Sequence, residues 1–225
     1  MTPSTSSSTP SLDAFCDLPG LSAEDQGRAD FYALISHLFL HPPSPALLRE
    51  LAGTPLADEQ EPPSELEKAW ERLTLAAAVT EADAVREEFD NLFVSTGTPR
   101  INPYACLYLV GYMNEKPLAR LRTELQSLDL SRAPGVHELE DHLSGLCDVM
   151  RVMIAGTQGG KAQTLQKQRE FFSTYIAPWY SRCLTDIREA SGAGFYSLVA
   201  DFAQTFLDIE MQAFEIEDTD SMEKA

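Results

Sequence analysis

The sequence is short of positive charge, of long apolar runs and of any alternating pattern that would mark a strand. Seventeen lysines and arginines stand against 35 aspartates and glutamates, a formal charge of −18 at pH 7. A field of that sign repels phosphate backbones and anionic lipid heads, so nucleic acid is excluded as a partner and basic peptides are favoured. No stretch approaches the ~18–20 consecutive apolar residues that a spanning helix needs, and stable membrane insertion is not expected. No positive charge precedes Arg28 and no apolar run opens the chain, so both parts of a secretory signal are missing. The four cysteines (Cys16, Cys106, Cys147 and Cys183) form no CxxC, which points to reduced thiols rather than a disulfide framework. The expected compartment is the cytoplasm.

Sequence signatures of catalysis are equally scarce. There is no GxSxG elbow and no GxxxxGK[ST] loop. Thr157 to Lys161 (TQGGK) lacks the strand that a phosphate-binding loop follows, and reads as a turn. His137 and His142 nearly spell the zinc motif HExxH, but the spacing is HExxxH. At about 100° per residue, side chains five apart on a helix diverge by ~140°, so this pair cannot clamp one ion. No metal and no cofactor are expected, and the chain is read as a binding protein, not an enzyme.

Apolar residues instead recur at three and four nearly throughout, the period of amphipathic helices. Ser22 with Asp25, Ser44 before Pro45, Ser64 with Glu67, and Thr80 with Asp83 supply start signals. Glycines and prolines, among them Pro42-Pro43, Gly53, Gly97 and Gly192, supply stops. The reading is an all-α, single globular bundle of about nine or ten helices with no strand. Residues 1–20 form a disordered Ser/Thr/Pro-rich tail, 21–216 the helical domain, and 217–225 an acidic C-terminal tail. The last helix carries a stripe through Phe195, Leu198, Val199, Phe202, Phe206, Ile209 and Ala213.

Two constellations stand out. Tyr104, Tyr108 and Tyr112 recur at i, i+4 and i+8 of a helix expected over Tyr104 to Met113. They would either floor an apolar groove with a polar rim or pack against a neighbouring helix. The second is Glu138, Glu140, Asp141 and His142, placed in the first turn of the next helix. There the carboxylates would meet the positive end of the helix dipole, and Glu138 would bond His142 four residues on.

Taken together, the blocks resemble one family. Glu88-Phe89-Asp90-Asn91-Leu92-Phe93 followed by Pro103-Tyr104-Ala105-Cys106-Leu107-Tyr108 is similar to the acidic helix, LF, loop and PYxSxY signature of the TorD/DmsD group of redox enzyme maturation chaperones. Glu140-Asp141-His142 is similar to that group's E-x-x-D-H-type motif, and the aromatic last helix also resembles its members. The resemblance spans roughly residues 28 to 214. Cys106 stands where the family has serine, and Val94-Ser95-Thr96-Gly97 replaces the Gly-Pro that often follows LF. Gly111 to Leu118 resembles members associated with formate dehydrogenases.

The resemblance implies a cytoplasmic chaperone that binds the twin-arginine leader, or the apo body, of a molybdopterin-dependent oxidoreductase catalytic subunit. It would hold that client for cofactor insertion, assembly or export. Client-binding residues would be Asp141, His142, Glu138, Glu140, Tyr104, Tyr108 and Tyr112, with Asp141 facing an arginine and His142 held by Glu138. Two other classes remain in view: a small hydrolase using Asp141 and His142, and a helical structural or regulatory scaffold. A monomer and a dimer swapped through the loop near Ser131 to Val136 are both compatible with the sequence.

Overall fold

The computed structural model describes residues 21–55, 62–94, 99–112, 115–132, 137–157 and 161–223, with backbone alone at 115 and beyond 216. Among these the chain forms ten α-helices and no strand: α1 (Ala23–Leu40), α2 (Pro45–Ala52), α3 (Glu65–Val79), α4 (Ala82–Phe89), α5 (Ala105–Val110), α6 (Glu115–Ser127), α7 (Leu143–Ala155), α8 (Leu165–Tyr175), α9 (Tyr180–Glu189) and α10 (Phe195–Glu223). A π-helical turn, Asp90–Val94, prolongs α4. The all-α expectation is met. The tail at residues 1–20 and the swap loop beyond Arg132 lie outside the described residues.

Most helices begin where the caps place them. Ser22 accepts from the Asp25 amide at 3.0 Å and Ser44 from the Leu47 amide at 3.2 Å. Ser64 and Glu67 close a reciprocal box, each side chain on the other's amide, at 3.2 and 2.6 Å. Thr80 departs from expectation. Its hydroxyl donates back to the Ala76 carbonyl at 2.7 Å and closes α3, so α4 starts one residue later at Ala82 without a side-chain cap.

α1 and α7 make the most extensive helix pair, while α10 lies against α3 and α9. Tyr32, Ile35 and Leu38 of α1, Leu143, Leu146 and Met150 of α7, and Phe202 and Leu207 of α10 are fully buried. Between α1, α3 and α10 sits an aromatic cluster in which Phe31 meets Phe202 edge-on at 5.1 Å and Trp70 at 5.6 Å. Such pairs add roughly 0.5–1.5 kcal/mol each beyond the area they bury.

The apolar stripe of α10 shifts by one residue towards its C-terminal end, where Ala213, expected inside, is exposed and Phe214 is buried, and the same shift shows one turn earlier. Ile209, expected inside, is 42% exposed, and Glu210 takes the buried place. Glu210 is satisfied there by partners about 180 residues away in the chain: Arg28 donates to it through Nε at 2.7 Å and Nη2 at 2.9 Å, and Tyr32 donates at 3.0 Å. Burial alone would lower the Arg28 pKa, but the hydrogen bond and charge of Glu210 outweigh it and keep the guanidinium ionised. A second long-range carboxylate sets the start of the same helix. Glu88 of α4 accepts the amides of Gly194, Phe195 and Tyr196 at 2.8, 3.0 and 2.7 Å, satisfying donors that a helix N-terminus leaves open. No described helix is long and apolar enough to cross a membrane.

Candidate functional site: a groove beside an antiparallel crossing

Residues 137–142 are not the first turn of a helix, as the charge pattern suggested. α7 begins only at Leu143, and His142 is its N-cap, with ψ 142°. The chain instead turns at Leu139 to His142, where the His142 amide donates to the Leu139 carbonyl at 3.1 Å, and then crosses the chain ahead of α5. The Ala105 amide donates to the Asp141 carbonyl at 2.9 Å and the Leu143 amide to the Pro103 carbonyl at 2.8 Å, a two-bond antiparallel crossing centred on Tyr104 and His142. Those two rings meet edge-on, 4.8 Å between centroids. Gly145 lets the chain at Glu140 lie close on α7, since a Cβ there would meet the Glu140 carbonyl at 3.3 Å.

The expected Glu138–His142 bond needs helical backbone from 138 to 142, and the helix starts only at Leu143. Glu138 accepts instead from the Tyr104 hydroxyl. His142 Nδ1 accepts from the Ser144 amide at 3.2 Å and lies 2.7 Å from the Ser144 hydroxyl. An amide can only donate, which fixes the neutral ring with its proton on Nε2. Burial pushes the His142 pKa down to about 4. Asp141 is 3% exposed, and its Oδ2 accepts the Cys106 amide at 3.0 Å. Its Oδ1 is buried without a partner among the described atoms. The Cys106 bond uses the backbone and so does not depend on the side chain at the position. Glu140 pairs with Arg122 of α6 at 3.0 Å.

The three tyrosines do not share a helix face. α5 spans only Ala105–Val110, because Gly111 at φ 82° ends it with a left-handed turn. Tyr104 precedes the helix and Tyr112 follows it, 62% exposed. Tyr108 stacks on Trp179 at 5.4 Å and donates to Asp186 at 3.0 Å. Burial, with Cys183 and Asp186 beside it, drives its pKa far up and keeps the hydroxyl protonated.

Beside the crossing a groove of about 470 Å³ opens between α1, α2, α6, α7, residues 130–132 and residues 138–140. Its floor is apolar, with Leu34, Leu40, Leu47, Leu125, Leu139 and Val149. Its polar wall holds four carboxylates, Glu50, Glu138, Glu140 and Asp148, with Arg132, Arg151, His37 and His41. His142 lines it, while Asp141, Tyr104, Tyr108 and Tyr112 do not. Glu50, Asp148 and the α1 histidines were missed in the sequence because they come from separate helices and share no motif. The one available signal was Ser36-His37 and His41 interrupting the apolar stripe of α1.

The arrangement does not suit hydrolysis. Asp141 bonds Cys106 and His142 bonds its own helix start, so no Asp–His relay forms. No group of three His, Cys, Asp or Glu side chains that could hold a metal occurs among the described residues.

The described residues thus form an all-helical domain with a groove that combines an apolar floor and four carboxylates. Residues 59–185, more than half of the chain, match the family model of the nitrate reductase delta subunit. The chain is 25% identical over 207 residues to the chaperone protein TorD of Aliivibrio salmonicida (strain LFI1238), covering 85% of this chain and 96% of that one. A crystal structure titled as a redox enzyme maturation protein from Archaeoglobus fulgidus superposes with a TM-score of 0.52 at 16% identity, over 81% of this chain and 92% of that one, a likeness of fold. The chain therefore belongs to the nitrate reductase delta subunit family, the TorD-like redox enzyme maturation chaperones, which are not enzymes.

Proposed function

We propose that this chaperone acts in the cytoplasm and captures the twin-arginine leader of a molybdopterin-dependent oxidoreductase in the groove between α1, α2 and α7. It holds the apoenzyme for cofactor insertion before export or assembly. The block from Gly111 to Leu118 favours a formate dehydrogenase as the client. The observation that carries the reading is the pairing of an apolar floor with four wall carboxylates in one groove of about 470 Å³. That is the complement of a segment with arginines at one end and an apolar helix after them. The charge of −18 adds long-range attraction of the same sign.

Glu138 and Glu140 are the residues assigned to the client's arginines. His142 shapes the wall, and Asp141 holds the crossing from behind. Tyr104 acts through Glu138, whereas Tyr108 and Tyr112 take no direct part in this groove.

The test is the affinity of a synthetic leader for Glu138→Gln and Glu140→Gln proteins. Each charge-assisted bond lost is expected to weaken binding about tenfold, and rising salt should weaken the unaltered protein as well. Equal affinity for a leader whose two arginines are replaced by alanine would remove the assignment.

A further inference from the structure

The carboxylates of the groove wall meet internal partners of different kinds. Glu138 takes a bond from the Tyr104 hydroxyl, a neutral donor that leaves the carboxylate charge in place. Asp148 pairs with Arg151 one turn along α7 at 2.7 Å, on the solvent side. Glu140 differs from both. Its side chain is only 13% exposed, and the guanidinium that reaches it at 3.0 Å comes from another helix, from Arg122, which is 45% exposed and lies outside the groove. Burial would raise the Glu140 pKa, but Arg122, with Arg132 nearby, holds it below the usual carboxylate range. Arg132 also stays near the wall by donating to the Glu138 carbonyl at 3.2 Å. A sheltered carboxylate of the groove wall therefore already carries the group that a client would bring.

We propose that Arg122 is an internal competitor for the client's arginine: it occupies Glu140 in the free chaperone and must be displaced before a leader can seat. The inference rests on the groove being the leader site. Exchanging one guanidinium for another on Glu140 gains little by itself. A basic residue alone therefore displaces Arg122 poorly, whereas an arginine delivered by an apolar segment on the groove floor displaces it with the help of that contact. Arg122 thus selects for the combination of arginine and apolar helix against merely basic chains.

The experiment titrates two labelled peptides, a leader with two arginines and its apolar helix, and a polybasic peptide without one. The proteins are the unaltered chain, Arg122→Gln, Arg122→Lys, Arg122→Gln with Glu140→Gln, and Arg120→Gln, which makes the same charge change at an exposed site on α6. At low salt Arg122→Gln should bind the leader about two- to fivefold tighter, the worth of an exposed ion pair, and should gain at least as much for the polybasic peptide. Arg122→Lys and Arg120→Gln should stay near the unaltered protein, and the double variant should lose the gain. An Arg122→Gln protein that binds the leader no tighter, or a gain that Arg120→Gln matches, overturns the proposal. If Glu138→Gln and Glu140→Gln each weaken the leader while Arg122→Gln gives no gain, only the role of Arg122 fails. If neither substitution weakens it, the groove reading itself fails.

Discussion

Removing the Asp141 carboxylate separates a residue that holds the site from one that touches the client. Asp141 is 3% exposed and lies behind the groove wall, where Oδ2 accepts the amide of Cys106, itself 1% exposed. Asp141→Ala leaves that amide buried without a partner, which costs about 1–3 kcal/mol. For a domain of this size each kcal/mol moves the melting temperature by about 2–4 °C, so a fall of roughly 2–12 °C is expected. Asp141→Asn keeps an oxygen in the Oδ2 position. It also replaces a buried, half-satisfied charge with a neutral amide, which is cheaper to bury. The asparagine protein should therefore melt close to the unaltered one and bind the leader with similar affinity. Thermal melts by circular dichroism and leader titrations on the same samples give both readouts. An alanine variant that melts with the unaltered protein would refute the capping role. An asparagine variant with normal stability but tenfold weaker leader binding would make Asp141 a direct contact.

Two further outcomes follow from single groups. His142 is held neutral when folded, with its pKa lowered to about 4 by burial, against about 6.5 when unfolded. The unfolded chain thus binds the extra proton first, so this contribution is whole above pH 6.5 and is lost as pH falls towards 4, up to about 3 kcal/mol in all. Urea midpoints across that window should fall less for His142→Asn, which keeps an N-cap but does not titrate. Glu88→Ala removes the acceptor of three amides at the start of α10 and should cost about 2 kcal/mol, read as a melting temperature lower by about 4–8 °C, whereas Glu88→Gln should keep part of the difference.

The helices were legible in the sequence because their information is local. Ser22, Ser44 and Ser64 each bond an amide three residues ahead, and the three-and-four spacing of Leu118, Leu121 and Leu125 directly names the buried side of α6. The site was legible only as a set of residues. Glu138 to His142 has the composition of a helix first turn, yet its backbone is committed by Pro103 and Ala105, more than 30 residues earlier in the chain. Glu210 shows the same limit within a helix: periodicity assigns the inward place to Ile209, yet Glu210 takes it, satisfied there by Arg28 from the far end of the chain. The tyrosine row failed for a smaller reason, since one glycine at φ 82° stops α5 before Tyr112 can join it.

The crossing also holds the acidic residues of the wall in place beside the apolar floor. Two backbone bonds join residues 103–105 to 141–143, the Asp141 carboxylate takes the next amide at Cys106, and the Tyr104 hydroxyl reaches Glu138. Gly145 seats the turn on α7, which is in turn packed along α1. Glu138 and Glu140 are thus presented from backbone that is bonded at several points rather than from a loose loop. Fixing a backbone residue costs on the order of 1–2 kcal/mol. A wall already fixed leaves that cost to the peptide alone, so more of the contact between arginine and carboxylate appears as affinity. On the proposed function the same rigidity would narrow what binds: the carboxylates stay at set distances from the apolar floor, and a leader would have to match the spacing between its arginines and its helix to reach both.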